Sequence, residues 1–290
     1  MSDRVSGQIV RAVAANNGVR ILGFSAAEAA EELRRCHNLG PNGAELGAHA
    51  IVAAGLLSGQ IKGDERITLQ VQGTEPRLSL FAEVDASGNV RARLSPMEPQ
   101  SSGAAGITGV MVVIKSSSKG EMYRGATEVR AESLQDALSR HMGTSSQIDH
   151  VLRIEVLSEG GVIQRAAGWL AEKLPGASDW TALDEARSIA TLEVLRDADM
   201  AEIFRAFGAG RLMDEPLDVL DTQPVQWQCT CSRERVRNML MGLGEEAVRQ
   251  FLVEDQGAEV SCHFCNEVHQ FDEADLAKLL GMMAKPAGEA

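Results

Sequence analysis

In the stretch Arg66-Ile67-Thr68-Leu69-Gln70-Val71-Gln72-Gly73, RITLQVQG, apolar Ile67, Leu69 and Val71 alternate with polar Thr68, Gln70 and Gln72. That is the period of a strand with one buried face. Ahead of it the pattern is helical. Ser25-Ala26-Ala27-Glu28 has the form of a capping box and predicts a helix over about 26–38. Pro41 suits the first turn of a second helix, with Leu46, Ile51, Ala54, Leu56 and Leu57 as its apolar face to about residue 59. Behind it come more strands: RLSLFAEVD, VRARL after the turn Ser87-Gly88-Asn89, GVMVVIKS, and EMYRGATEV after Lys119-Gly120. A helix from about Ser133 to His141 and the strand HVLRIEVLSEGG close the region. Strands in runs with helices grouped around them predict an α+β class, with an antiparallel sheet and packed helices in a core domain over 1–177.

After AEKLPGASD the pattern is helical from about Thr181 to Phe207, broken by Gly208, Gly210, Pro216 and Pro224. This segment carries Asp184, Glu185, Asp197, Asp199, Glu202, Asp214 and Glu215 beside a modest apolar stripe. A helix of that kind takes its stability from what it docks against. The expectation is a helical, metastable linker over 178–228, with an ordinary connecting hairpin as the plainer reading.

The 290 residues are 44% apolar, enough for a substantial core. The 41 acidic against 28 basic side chains give a net charge of −13, which repels a phosphate backbone, so nucleic acid is not an expected partner. No apolar run suggests a signal peptide or a membrane span, and the expected location is cytoplasmic. Five cysteines in such a compartment stay reduced, so a cluster of four suggests metal or redox chemistry rather than permanent disulfides.

That cluster is Cys229-Thr230-Cys231 followed, after 30 residues, by Cys262-His263-Phe264-Cys265. Two close thiol pairs on tight turns fit a tetrahedral four-cysteine zinc site in a C-terminal domain over 229–290. Four thiolates leave no open position for a catalytic water, which favours a structural or switchable site. In so short a segment bound metal contributes to the folding free energy. His263 and His269 are near enough to compete as ligands, but with four cysteines at hand they read as bystanders or as groups behind the ligands. A thioredoxin-like pair would need a βαβ unit, and the strand run offers none. Arg233, Arg235, Arg237 and Arg249 form a local basic cluster that keeps open an alternative, a constitutive zinc-ribbon module binding nucleic acid or protein; a solvated helix face is the plainer account. The one-residue gap in Cys229-Thr230-Cys231 makes a tight disulfide if metal leaves, and a strained disulfide is easily reduced. The residues by themselves thus reach a zinc site that can respond to oxidant.

PVQWQCTCSRERVRNMLMGLGEEAV and EVSCHFCNEVHQFDEADL resemble the C-terminal domain of the heat shock protein 33 family of redox-regulated holdase chaperones. LLSGQIKGDERITLQVQG and AAGWLAEKLPGA are similar to segments of that family's core. The resemblance implies an ATP-independent chaperone without catalytic turnover, inactive while reduced and zinc-bound. It implies that oxidation pairs Cys229 with Cys231 and Cys262 with Cys265, releases zinc, and unfolds the C-terminal domain and linker. Unfolded or aggregation-prone client proteins would then be bound, and a reduced monomer would become a homodimer. The chain departs from the family pattern at Val90-Arg91-Ala92-Arg93-Leu94, where a glycine is common, and at 141–147, HMGTSSQ, where an aromatic-rich helix end is common.

Three features tempt and are set aside. Cys36 beside His37 reads as an incidental thiol, since adjacent residues on a helix do not face each other. SSGAAGITGVMVV lacks the Lys-Ser/Thr ending of a phosphate loop and precedes a strand, so it reads as a flexible connection. Met239, Leu240, Met241, Leu243, Met282 and Met283 read as core or helix-packing residues.

Overall fold

The computed structural model describes residues 7–14, 18–96, 106–147, 149–174 and 218–284. The chain divides into two compact units, Met1–Gln228 and Cys229–Ala290.

In the first unit, β1 (Gln8–Ala14) and β2 (Val19–Ser25) precede helices α1 (Ala27–His37) and α2 (Pro41–Leu56), and a 3-10 turn follows at Leu57–Gln60. Then come β3 (Arg66–Glu75), β4 (Arg77–Asp85), β5 (Asn89–Ser95), β6 (Ile107–Ser117), β7 (Gly120–Glu132), α3 (Leu134–His141), β8 (His150–Glu159) and β9 (Val162–Lys173). After the segment outside the described residues, β10 (Asp218–Pro224) and β11 (Gln226–Trp227) complete the unit. One sheet has the order β10-β1-β2-β9-β8 and the other β11-β5-β4-β3-β6-β7. All pairings are antiparallel except the two-residue pairing of β11 with β5.

Helix α2 lies between the sheets. Every residue from Leu46 to Leu56 is buried, and the helix touches β2, β8 and β9 of one sheet and β3, β4 and β5 of the other. A helix covered on all sides has no polar stripe, and its glycines let α1 and β2 approach closely. A Cβ at Gly47 would sit 2.6 Å from Leu33 Cδ2, and one at Gly55 would sit 2.4 Å from the Phe24 ring.

The predicted strands from β3 to β8 are all present. Ile67, Leu69 and Val71 are buried as the alternation requires; Thr68 is also buried, and its hydroxyl donates to Glu83 Oε2 at 3.2 Å. The unusual VRARL segment still lies in β5, with Val90, Ala92 and Leu94 buried. In the segment 141–147, the end of α3 passes into a π-helical turn at Met142–Ser146.

Several expectations need correction. The capping box at Ser25 is not formed: Ser25 ends β2, its hydroxyl accepts from the Gln8 amide at 3.0 Å, and α1 starts from Ala26 without a side-chain cap. β1, β2 and β9 were not anticipated. β9 is buried without a break from Ala166 to Glu172, so it shows no period-two alternation. The end of the expected helical linker, 218–227, is strand: backbone pairing carries β10 along β1 and β11 along β5, while Asp218–Asp221 stay exposed. The rest of that linker, from 178 to 217, lies outside the described residues, as does most of SSGAAG before β6.

The second unit contains α4 (Arg233–Gly242), α5 (Glu245–Gln250), a hairpin of β12 (Gly257–Ser261) and β13 (Val268–Asp272), and α6 (Glu273–Met283). Ser232 caps α4 by accepting from the Arg235 amide, and Asp272 with Asp275 forms a capping box for α6. The core is small: Val236, Leu240, Val248, Phe271, Leu276 and Leu279. Of the residues read as packing, Leu240 is buried and Met241 and Met283 lie against the core, whereas Met239, Leu243 and Met282 are exposed.

Candidate metal centre

Cys231 immediately precedes the N-cap of α4, and Cys229 stands two residues before it. Cys262 and Cys265 occupy the turn of the β12–β13 hairpin. That turn is closed by two backbone bonds of 2.9 Å: the Cys262 amide donates to the Glu267 carbonyl, and the Asn266 amide donates to the Cys262 carbonyl. Asn266 takes the left-handed conformation, φ 60°, which asparagine tolerates better than most side chains. Arg235 donates to the Thr230 carbonyl at 2.8 Å, which holds the first pair's loop against α4.

These elements bring the four sulfurs together. Cys229 Sγ lies 3.5 Å from Cys262 Sγ, Cys231 Sγ lies 3.3 Å from Cys265 Sγ, and all four fall within 4.8 Å of one another. A tetrahedral ion with Zn–S bonds of about 2.3 Å sets its sulfurs roughly 3.8 Å apart, so this spacing can accept such an ion. All four cysteines are half-buried and in the free thiol form. Burial, then hydrogen bonding with Cys265 and Cys229, pushes the Cys231 thiol well above its usual range. Burial also raises Cys265, to about 11. Cys262 is opposed by the same burial, yet the amides of Cys265 and Phe264 bring it below its usual value. Packed thiols of this kind cannot all ionise unaided; a divalent cation held by the four would supply the missing charge.

The two histidines that looked equivalent in the sequence differ here. His263 is exposed, whereas His269 is buried on β13, on the same side as the core residue Phe271. One ring nitrogen of His269, the Cys231 sulfur and a Glu267 carboxylate oxygen lie within 4.8 Å of one another. Glu267 was not singled out in the sequence, because its role depends on where the hairpin turns. The basic cluster is largely neutralised: Arg233 pairs with Asp275, Arg237 with Glu234 and Arg249 with Glu245. Cys36 belongs to α1 of the first unit, its thiol 3.4 Å from Glu32 Oε1. Among the described residues no helix is long and apolar enough to cross a membrane.

Comparison with known proteins agrees over nearly the whole chain. The family model described as Hsp33 protein matches residues 7–272. A 33 kDa chaperonin from Deinococcus radiodurans is 30% identical over 287 residues, covering 93% of this chain and 97% of that protein. One from Bacillus licheniformis is 26% identical, covering 93% and 98%. The crystal structure of a 33 kDa chaperonin from Thermotoga maritima superposes with a TM-score of 0.82 at 20% identity, covering 96% of this chain and 99% of that one. A core of two sheets around α2, a four-cysteine cluster in the second unit, a family model over residues 7–272 and a 30% identical relative aligned over 93% of the chain place this chain in the Hsp33 family.

Proposed function

We propose that the chain is a cytoplasmic, ATP-independent holdase chaperone, switched by oxidation and without catalytic turnover. Cys229, Cys231, Cys262 and Cys265 hold one zinc ion in the reduced monomer. The observation that carries this reading is the cluster of four sulfurs within 4.8 Å, in a chain of the Hsp33 family. On exposure to peroxide or hypochlorite, Cys229 joins Cys231 and Cys262 joins Cys265. Each thiolate pair gives two electrons to the oxidant, which is reduced to water or chloride, and the resulting disulfides no longer bind zinc. The domain over 229–290 and the linker over 178–228 then lose their fold, client-binding surface is exposed, and a homodimer forms. The small core of the second unit supports metal dependence, since six buried apolar residues provide little stability by themselves. The paired arginines speak against the nucleic-acid form of the zinc-ribbon alternative.

The test is to oxidise the zinc-loaded protein with peroxide under mild heat, or with hypochlorite, and to follow zinc release, thiol loss and suppression of a client's aggregation. Zinc and four thiols should disappear together as suppression rises. Equal suppression before and after oxidation refutes the switch.

A further inference from the structure

We propose that Cys231, Glu267 and His269 form a second metal-binding set that overlaps the four-cysteine centre. It would hold a zinc-class divalent ion through one thiolate, one carboxylate oxygen and one imidazole nitrogen when the thiolates of Cys262 and Cys265 are unavailable. This inference rests on the four-cysteine zinc reading and adds a second seat for the same ion.

Three observations converge on it. The three donor atoms lie within 4.8 Å of one another, the same limit that encloses the four sulfurs, and Cys231 belongs to both groups. Glu267 is held in place from two sides: its carbonyl accepts from the Cys262 amide at 2.9 Å, and its carboxylate Oε2 lies 3.5 Å from Cys231 Sγ. His269 occupies an inward position of β13, only 6% exposed, and its Nε2 has no hydrogen-bond partner. The neighbouring inward position holds Phe271, a core residue, and an apolar side chain would serve at 269 if packing were the only demand. A buried imidazole that has its Nε2 unpartnered and one ring nitrogen within 4.8 Å of a thiol and a carboxylate completes a donor set for a borderline metal ion. Three protein ligands leave one tetrahedral position open, within reach of Cys229 or a water.

The test uses the full chain, freed of metal and titrated with Co(II), whose charge-transfer and d–d absorption count thiolate ligands. The Cys262→Ser/Cys265→Ser variant should bind one Co(II) with a spectrum of no more than two thiolates. Adding His269→Ala or Glu267→Gln should weaken that binding at least about tenfold. In the otherwise wild-type chain the same two substitutions should leave Co(II) affinity within about threefold, because all four thiolates remain. The milder Cys265→Ser variant keeps three thiolates and a metal-held fold. Loaded with cadmium-113, its resonance should report mixed sulfur and nitrogen ligation that His269→Ala abolishes. No Co(II) binding by the double serine variant, together with a cadmium resonance indifferent to His269, overturns the second set. An equal loss on His269→Ala in the wild-type background also overturns it, assigning the imidazole to hydrogen bonding of Cys231. A wild-type chain without a four-thiolate Co(II) spectrum overturns the zinc reading itself, so the two failures are distinct.

Discussion

A methyl group at position 55 has no room: the Phe24 ring, fully buried, lies 2.4 Å from where that Cβ would be. Gly55→Ala should therefore lower the stability of the first unit by about 1–3 kcal/mol, read as a reduced midpoint in urea unfolding. If the midpoint is unchanged, the contact between α2 and β2 is looser than described. His49 on the same helix offers a pH-dependent probe. It is buried, its Nδ1 lies 2.9 Å from the Glu45 carbonyl, and burial holds its pKa below the ordinary histidine value. Burial lowers His141 as well, and its Nδ1 lies 2.8 Å from the Thr127 hydroxyl. For a group with a depressed folded pKa, the unfolded chain binds the proton first, so stability rises with pH across that window. Acidifying below the unfolded histidine pKa of about 6.5 should thus destabilise the first unit before carboxylates titrate. His49→Leu should flatten the pH dependence of the urea midpoint between those limits; an unaltered slope would exclude His49 as its source.

Among the described elements, β10 has none of its own residues buried. Its ladder to β1 is regular apart from one register shift, but Asp218–Asp221 and Thr222 face solvent, and its ion pair, Arg11 with Asp221 at 2.8 Å, is too exposed to add much. Val225, buried at the passage to β11, is the apolar anchor. Amides of β10 should therefore exchange with deuterium sooner than those of β2 in the reduced protein, and Val225→Ala should widen the difference. Comparable protection of both strands would show that β10 opens only with the whole core. The same features explain what could be read from sequence. β4 and β5 bury every second residue and so carry alternation, and β3 does so apart from Thr68, whereas β9 buries a run of seven residues and β10 none, and neither leaves a period to find. Ser25 shows the complementary failure: its capping pattern is real in sequence, but pairing with β1 takes the hydroxyl for Gln8. At the metal centre the four cysteines announced themselves by spacing. Separating His269 from His263 required the hairpin register, because alternation along β13 buries His269, whereas His263 falls in the exposed turn before that strand.

For the molecule as a whole, the two units have very different resources. The first buries a continuous core drawn from both sheets and its helices; the second has six buried apolar residues among those described. Removing zinc with a strong chelator in the presence of reductant should make Cys229–Ala290 sensitive to protease while the core sheets resist digestion. Added zinc should restore resistance. Cys231→Ser, which removes a ligand common to both donor sets, should produce the same sensitivity without chelator, whereas Cys36→Ser should not. If the metal-free second unit resists protease as well as the loaded one, its fold does not depend on the ion.

The pairing of β10 with β1 also constrains how the protein is made. Arg11 and Asp221 are 210 residues apart, so β1 leaves the ribosome long before its outer neighbour. At about 5–20 residues per second, that interval is roughly 10–40 s. Throughout it the nascent core presents one side of β1 without a partner, an edge of the kind that recruits foreign strands. Until β10 emerges, the chain carries the same hazard of unpaired strand edges that it is proposed to manage in other proteins.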